Sequence, residues 1–230
     1  MKEYCRPAAG QAPPSVKEIR TLVTLQDCVR YLLTSVLRVG LDTCGLQDLY
    51  DFLFDRLRAV RQDLTLQSVQ DDTARLEILA SCVRFHLVFG VLLRGQSSFS
   101  QHINSQHQLD CLKSCLLLSP DQSHLLPPLH CLYLLSNMDS EHALNWAVNI
   151  QHRSDSLGES FILMLSNSRP SLEKCVELAQ SYRAGNYVRF YRLVSSLPLL
   201  LLLAVPRYCQ IMLSHAVRVA RLAYKSPNIK

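Results

Sequence analysis

The chain has 230 residues and a net charge of +5, and its 48% hydrophobic and 19% charged content is ordinary for a water-soluble globular protein of one large or two small domains. Its 7 glycines leave little material for phosphate-cradling loops, and it contains no P-loop, Gly-x-Gly-x-x-Gly, His-Glu-x-x-His or Gly-x-Ser-x-Gly motif. Because these motifs are missing, we expect a non-enzyme with no cofactor and no small-molecule substrate. The longest apolar run, Leu197 to Val205, is too short for a bilayer, so we also expect no membrane segment.

Helical periodicity recurs along most of the chain, and no stretch alternates with period two for long enough to predict a strand. We expect an extended arm over 1–14 and a single helical domain over 15–230. The predicted helices run from Ser15 to Gly40, Gly45 to Gln67, Asp71 or Asp72 to Gly95, Ser98 or Ser100 to Leu118, Pro127 to Asn137, a short one from Asp139 or Ser140, Leu157 to Leu165, Pro170 to Ala184, Tyr187 to Ser195, and Pro198 to Ala223 with a kink at Pro206. Antiparallel pairs of such helices stack as a right-handed solenoid of the tetratricopeptide or PCI-like kind.

The second predicted helix is amphipathic. Its apolar face holds Leu46, Leu49, Tyr50, Leu53, Leu57, Val60, Leu64 and Gln67. The opposite face carries Asp55 and Arg58, which can pair at i,i+3. Arg56 and Arg61 lie at the edges of the apolar stripe, where a guanidinium can reach a neighbouring helix. We expect Arg56 to be partly buried and paired with a carboxylate or helix-end carbonyls on an adjacent helix, and Arg58→Ala to be nearly silent.

Nine cysteines without a repeating spacing, and without a signal peptide before them, indicate reduced and mostly buried thiols in a nuclear or cytosolic protein. His107, Cys111 and Cys115 are spaced to line one helix face, but a zinc site needs more ligands than one helix face readily presents. We expect structural thiols there without a bound metal. Cys82 and His86 lie four residues apart in an apolar run, which predicts a core histidine.

The C-terminal part of the chain is basic. Between Leu178 and Lys230 there are eight Lys or Arg and no Asp or Glu. The candidate interaction residues are Arg189, Arg192, Arg207, Arg218, Arg221 and Lys225. Tyrosines interleave with them, as in sites for single-stranded nucleic acid, and the same pattern also suits a solvated face or a dock for an acidic protein.

Five stretches in order resemble the GANP/Sac-three family, the scaffolds of the nuclear mRNA-export complex. The segment from Asp55 to Asp63, followed by Gln67, is similar to the signature helix of that family. Its signature residues here are Asp55, Arg56, Arg58, Arg61, Gln62, Asp63 and Gln67. The other four stretches are Lys2 to Gly10, Arg84 to His86, Leu132 to Asn137 and Ala184 to Leu193.

The resemblance implies a non-enzymatic scaffold whose partners are a helical-repeat protein of the PCI type and a small acidic subunit. The shortness of the chain indicates the small branch of the family, linked to centrosome duplication, spindle assembly and mitosis, in the nucleus and cytoplasm. The alternative is an mRNA-export scaffold that binds RNA or DNA through its basic C-terminal helices. Family members often carry a Cys-rich segment upstream and a winged helix downstream, and we expect the winged helix to be absent or truncated here.

Overall fold

A computed structural model of the chain describes residues 2–6, 18–67, 71–118, 126–156 and 172–224. These residues are predominantly helical and include no β-strand, which confirms the predicted all-α class. None of the helices in these ranges is both long and apolar enough to cross a membrane. The chain divides into two compact units, Met1–Leu125 and Leu126–Lys230.

The described part of the first unit has five α-helices. They are α1 (Leu22–Tyr31), α2 (Leu37–Thr43), α3 (Leu46–Leu66), α4 (Asp72–Leu92) and α5 (Gln101–Leu116), and a π-helical turn, Leu32–Val36, joins α1 to α2. Two predicted caps are present, since Asp71 accepts from the Ala74 N–H at 2.9 Å and Ser100 from the Ile103 N–H at 3.4 Å.

The first helix begins later than predicted. Ser15 lies outside the described residues, Glu18–Arg20 is not α-helical, and α1 starts after Thr21, whose side chain caps Thr24. Arg20 uses its backbone N–H and its side chain to bond Asp63 on α3, which places it off the helix axis.

Helix α4 is the centre of the first unit, as its all-round apolar pattern predicts, and it packs against α1, α3 and α5. A buried polar network joins three of these helices. The Tyr50 hydroxyl donates to Asn104 Oδ1 at 3.2 Å, His86 Nδ1 lies 2.8 Å from the same oxygen, and Asn104 Nδ2 donates to the His86 carbonyl at 2.9 Å. Asn104 is fully buried, and every polar atom of its side chain is used.

Over its described residues, 126–156 and 172–224, the second unit has six α-helices. They are α6 (Leu126–Ser136), α7 (Glu141–Ser156), α8 (Leu172–Arg183), α9 (Tyr187–Val194), α10 (Leu199–Leu202) and α11 (Pro206–Tyr224). Gly185, with a φ of +66°, makes the predicted turn between α8 and α9, and Asn186 caps α9 by accepting from the Arg189 N–H at 3.0 Å. The predicted helix over Leu157 to Leu165 lies outside the described residues.

The last predicted helix is two helices. The sequence predicts one helix from Pro198 to Ala223 with a kink, but residues Leu203–Val205 interrupt it and separate α10 from α11. Pro206 has no N–H to continue the ladder of α10, so it starts a new helix instead. Tyr208, in the first turn of α11, is buried and donates to Asp139 Oδ1 at 2.7 Å.

Candidate functional site

The polar face of the signature helix α3 holds the N-terminal residues of the chain. Asp63 is fully buried, and its two oxygens accept from Lys2 Nζ and Arg20 Nε, each at 2.7 Å. Burial alone raises the pKa of Asp63, but the hydrogen bonds from Lys2 and Arg20 outweigh it and hold the pKa below its usual value. We name residues Lys2–Arg6 and Glu18–Arg20, held on α3, the N-terminal clasp.

Arg56 is mostly buried in this clasp. Its two terminal nitrogens donate to Glu3 at 2.8 Å and to Asp55 at 2.6 Å, and its guanidinium lies over the Phe52 ring. The predicted carboxylate partner is therefore present. It comes from the N-terminal segment and from α3 itself, and not from an adjacent helix as the sequence suggested.

Arg58 does not pair with Asp55, so that prediction is wrong. Asp55 instead accepts from the Tyr4 N–H at 3.2 Å and from Arg56, while the Arg58 guanidinium lies 3.9 Å from the centre of the Tyr4 ring. Next to it, Gln62 donates to the Cys5 carbonyl at 2.9 Å. Helical periodicity assigns this face to solvent, because a pattern within α3 carries no information about the five residues, Lys2–Arg6, that cover it.

Gln67 closes the end of the signature helix. Its side-chain amide donates to the Arg20 carbonyl at 2.5 Å and to the Asp63 carbonyl at 3.1 Å. It therefore ties the C-terminal end of α3 to the segment before α1 and satisfies a carbonyl that the helix leaves open.

Arg61 reaches from α3 to α5. Its Nη1 donates to Cys111 Sγ at 3.0 Å, and its Nη2 lies 3.0 Å from His107 Nδ1. Burial and the positive charges of Arg61 and Arg58 lower the pKa of His107. Cys111 and Cys115 are buried as predicted, whereas His107 is only half-buried.

An open cavity of about 1130 Å³ lies beside the clasp. Its wall includes Lys2, Arg6, Arg58, Arg61, His107 and Cys111. Within the part of the chain that the structure describes, no three His, Cys, Asp or Glu side chains come close enough to hold a metal ion.

Two of the candidate basic residues in the second unit are neutralised by carboxylates. Arg189 pairs with Glu177 at 3.2 Å, and Arg207 pairs with Asp139 and lies over the Tyr208 ring. The absence of acidic residues after Glu177 predicts an unbalanced positive surface, and for these two arginines that prediction is wrong. The fold brings the carboxylates from earlier in the sequence.

The remaining basic candidates are more accessible. Arg192, Arg218 and Arg221 are exposed, and Lys225 lies outside the described residues. Of the tyrosines that interleave with them, Tyr208 is buried and Tyr191 donates to the Cys209 carbonyl at 2.6 Å, while Tyr224 is 79% exposed. Most of the aromatic rings in this region therefore pack within the unit and are not arranged to stack on bases.

The whole chain, residues 1–230, matches the model of the SAC3/GANP family. It is also similar to Protein xmas of Drosophila melanogaster, with 26% identity over 119 residues. That match covers 50% of this chain and 6% of the relative, so the chain spans a small fraction of that protein's length. No solved structure matches the chain. Because the family match extends over every residue and includes the signature helix, the chain belongs to the SAC3/GANP family.

Proposed function

We propose that the chain is a non-enzymatic scaffold that binds protein partners in an assembly related to mRNA export. The observation that carries this proposal is the family match over residues 1–230, since the family is one of scaffolds. The use of the signature side chains supports it. Asp55, Arg56, Asp63 and Gln67 make contacts within the chain that hold the N-terminal clasp on α3.

The partners proposed are a helical-repeat protein of the PCI type and a small acidic subunit. We propose a right-handed solenoid of helix pairs, and the packing of consecutive helices on one another in both units, α4 with α5 and α8 with α9, supports the pairing. Such repeats present extended surfaces to other proteins. The exposed residues Arg192, Arg218 and Arg221 supply positive charge for an acidic partner.

Direct RNA or DNA binding is the second candidate function. The same exposed arginines favour it, because neutralising phosphates is the main source of non-specific affinity. The pairing of Arg189 and Arg207 with carboxylates and the burial of Tyr208 weigh against it. We therefore rank it below protein binding.

A salt titration separates the two functions. Binding of the full chain is measured to a PCI-type helical-repeat protein and, separately, to single-stranded RNA, between low and high salt. Protein docking through an apolar interface should keep most of its affinity at high salt, whereas RNA affinity should fall by orders of magnitude.

Charge reversal supplies the control for this titration. The test variant is Arg218→Glu with Arg221→Glu, and Arg38→Glu with Arg94→Glu changes the net charge equally at exposed positions of the first unit. Tight RNA binding that the first pair abolishes and the second leaves unchanged would reverse our ranking. Failure of the chain to bind any PCI-type protein would contradict the scaffold proposal.

We propose that this scaffold also acts at the centrosome and spindle, with the nucleus and cytoplasm as its compartments. The support is the resemblance to the small branch of the family alone. Imaging of the tagged full protein through the cell cycle tests it, and a nuclear signal in interphase with none at the centrosome or the mitotic spindle would contradict this setting.

A further inference from the structure

Two buried cysteines in the first unit lie beside an arginine. Cys111 on α5 is 2% exposed, and its Sγ accepts from Arg61 Nη1 at 3.0 Å. Cys82 on α4 is fully buried, and its thiol hydrogen-bonds with that of Cys111. We name Arg61, Cys82, His107 and Cys111 the thiol cluster.

The arginine of this cluster has no carboxylate partner among the described residues. The second terminal nitrogen of Arg61, Nη2, faces His107 Nδ1. A guanidinium can only donate hydrogen bonds, so Nδ1 is the acceptor, and the imidazole is neutral with its proton on Nε2. The group at contact distance from the Arg61 cation is the Cys111 sulfur, and the cation favours the thiolate form of that sulfur. Asp110 raises the pKa of both Cys111 and His107 and so opposes the arginine, and Cys115 acts on Cys82.

The two thiols of the cluster are driven in opposite directions. The hydrogen bond from Cys82 lowers the pKa of Cys111, burial opposes this, and the charge and hydrogen bond of Arg61 add to the lowering. The interaction with Cys111 and complete burial raise the pKa of Cys82. Because the Arg61 contact at 3.0 Å falls on Cys111, Cys111 is the thiol of the pair whose anion a cation stabilises.

A second thiol pair in the same chain lacks the cation. Cys175 hydrogen-bonds with Cys131 in the second unit, and both are buried. The interaction with Cys131 and burial raise the pKa of Cys175, and no cation is among the groups that act on this thiol. The two pairs share burial and thiol contact and differ in the arginine, so the second is a built-in control.

We propose that Cys111 is a peroxide-sensitive modification site and that Cys82 resolves it to a disulfide between α4 and α5. Access is through the open cavity beside the N-terminal clasp, because Cys111 forms part of its wall. The geometry that carries the proposal is the 3.0 Å contact of Arg61 Nη1 with Cys111 Sγ on α5, together with the buried Cys82 on α4, the helix that packs against α5.

The reaction balances with hydrogen peroxide as the oxidant. The Cys111 thiolate attacks one peroxide oxygen, the O–O bond breaks, and the products are Cys111 sulfenic acid and hydroxide, which takes a proton to become water. Cys82 loses its proton and attacks the Cys111 sulfur. The S–S bond forms as the S–O bond breaks, and a second water leaves. Two thiols are oxidised and both oxygens of one peroxide are reduced.

The test uses the full chain, reduced and then treated with increasing hydrogen peroxide. Remaining thiols are alkylated, and the protein is digested without reductant for mass spectrometry. We expect a linked peptide pair containing Cys82 and Cys111 to form at least tenfold faster than one containing Cys131 and Cys175. Equal rates for the two pairs, or oxidation confined to the exposed Cys5 and Cys44, would overturn the proposal.

Variants separate the roles of the three residues. Cys82→Ser should trap the Cys111 sulfenic acid, which a cyclic 1,3-diketone labels, and Cys111→Ser should leave Cys82 reduced. Arg61→Gln should slow alkylation of Cys111 about tenfold at neutral pH, and Arg61→Lys should restore part of the rate. An alkylation rate independent of Arg61 in folded protein would contradict the assignment, and the comparison of the two pairs in the unmodified chain holds even where a variant fails to fold.

Discussion

Lys2 Nζ lies 2.7 Å from Asp63 Oδ1 and so joins the start of the chain to a carboxylate 61 positions later. Arg20 binds the other oxygen of the same carboxylate. One buried anion on the signature helix therefore holds two separate segments of the chain, Lys2–Arg6 and Glu18–Arg20. We infer that this part of the family signature is a structural device.

Asp63→Asn should destabilise the protein clearly. The substitution leaves the Lys2 and Arg20 cations without their anion in a largely buried position, and breaking such a pair costs about 3 kcal/mol or somewhat more. Asp51→Asn is the matched control, because Asp51 is exposed and contacts only Gln47 among its described neighbours. Urea unfolding of the two variants measures the difference, and equal free energies of unfolding would contradict the inference.

The pKa of Asp63 also sets an acid limit on stability. Because its folded pKa lies below the unfolded value of about 3.9, its contribution is complete above that pH and is lost as pH falls through the folded pKa. Asp63→Asn should therefore flatten the decline of the free energy of unfolding below about pH 4. Chemical unfolding at a series of pH values tests this, and an unchanged slope would count against an ionised Asp63.

Two histidines that the fold keeps neutral, the buried His86 and the half-buried His130, act in a higher pH window. Burial lowers the pKa of His86 to about 3 and that of His130 to about 4, so both stay neutral in the fold while the unfolded chain binds protons below about pH 6.5. Stability should fall as pH drops from 6.5 towards 4, by up to about 1.4 kcal/mol per pH unit for each histidine. His86→Gln and His130→Gln should each reduce that slope and leave the part that His107 contributes, and a slope that neither substitution changes would refute the assignment.

Arg56→Ala should destabilise the protein more than Arg58→Ala, but by less than a buried ion pair would suggest. Its partners Glu3 and Asp55 are 76% and 38% exposed, so solvent screens them, and we expect a loss of about 1 to 2 kcal/mol including the lost packing on Phe52. Arg58→Ala should cost about 0.5 to 1 kcal/mol, because it removes the contact with Tyr4. Thermal melts of both variants compare them, and a larger effect at Arg58 would be inconsistent with these contacts.

Gly90→Ala should disturb the buried network of α4 and α5. A Cβ at Gly90 would lie 2.8 Å from Asn104 Nδ2, the atom that donates to the His86 carbonyl. We expect a loss of about 1 to 3 kcal/mol, as for other overpacked cores. Gly45→Ala is a milder comparison, since its Cβ would meet the end of the Asp48 side chain. A Gly90→Ala variant as stable as the parent would show that the network can shift freely.

Local patterns in the sequence predict most of the helices and little of the site. The stripe from Leu49 to Leu64 predicts α3, and Asp71 and Ser100 predict the starts of α4 and α5, because periodicity and capping depend on residues within one or two turns. The contact of Arg61 with Cys111 spans 50 positions, and only the folded chain brings the two together.

The fully buried Asn104 shows the same limit. Its neighbours in sequence are mostly exposed and polar, so no pattern on α5 marks it, yet it joins Tyr50 and His86 from two other helices.

The break before Pro206 is likewise not determined by the local sequence. A proline predicts either a kink or a stop, and the hydrogen bonds of the buried Tyr208 to Ser136 and Asp139 accompany the stop.

The coupling free energy between Lys2 and Asp63 tests the structural role of the signature most directly. Unfolding free energies of the parent, Lys2→Met, Asp63→Asn and the double variant give that coupling as a double-mutant cycle. Since Lys2 is one-third exposed and Asp63 is fully buried, we predict a favourable coupling of about 1 kcal/mol or more. A coupling of zero within error would show that the start of the chain is not held by the signature helix.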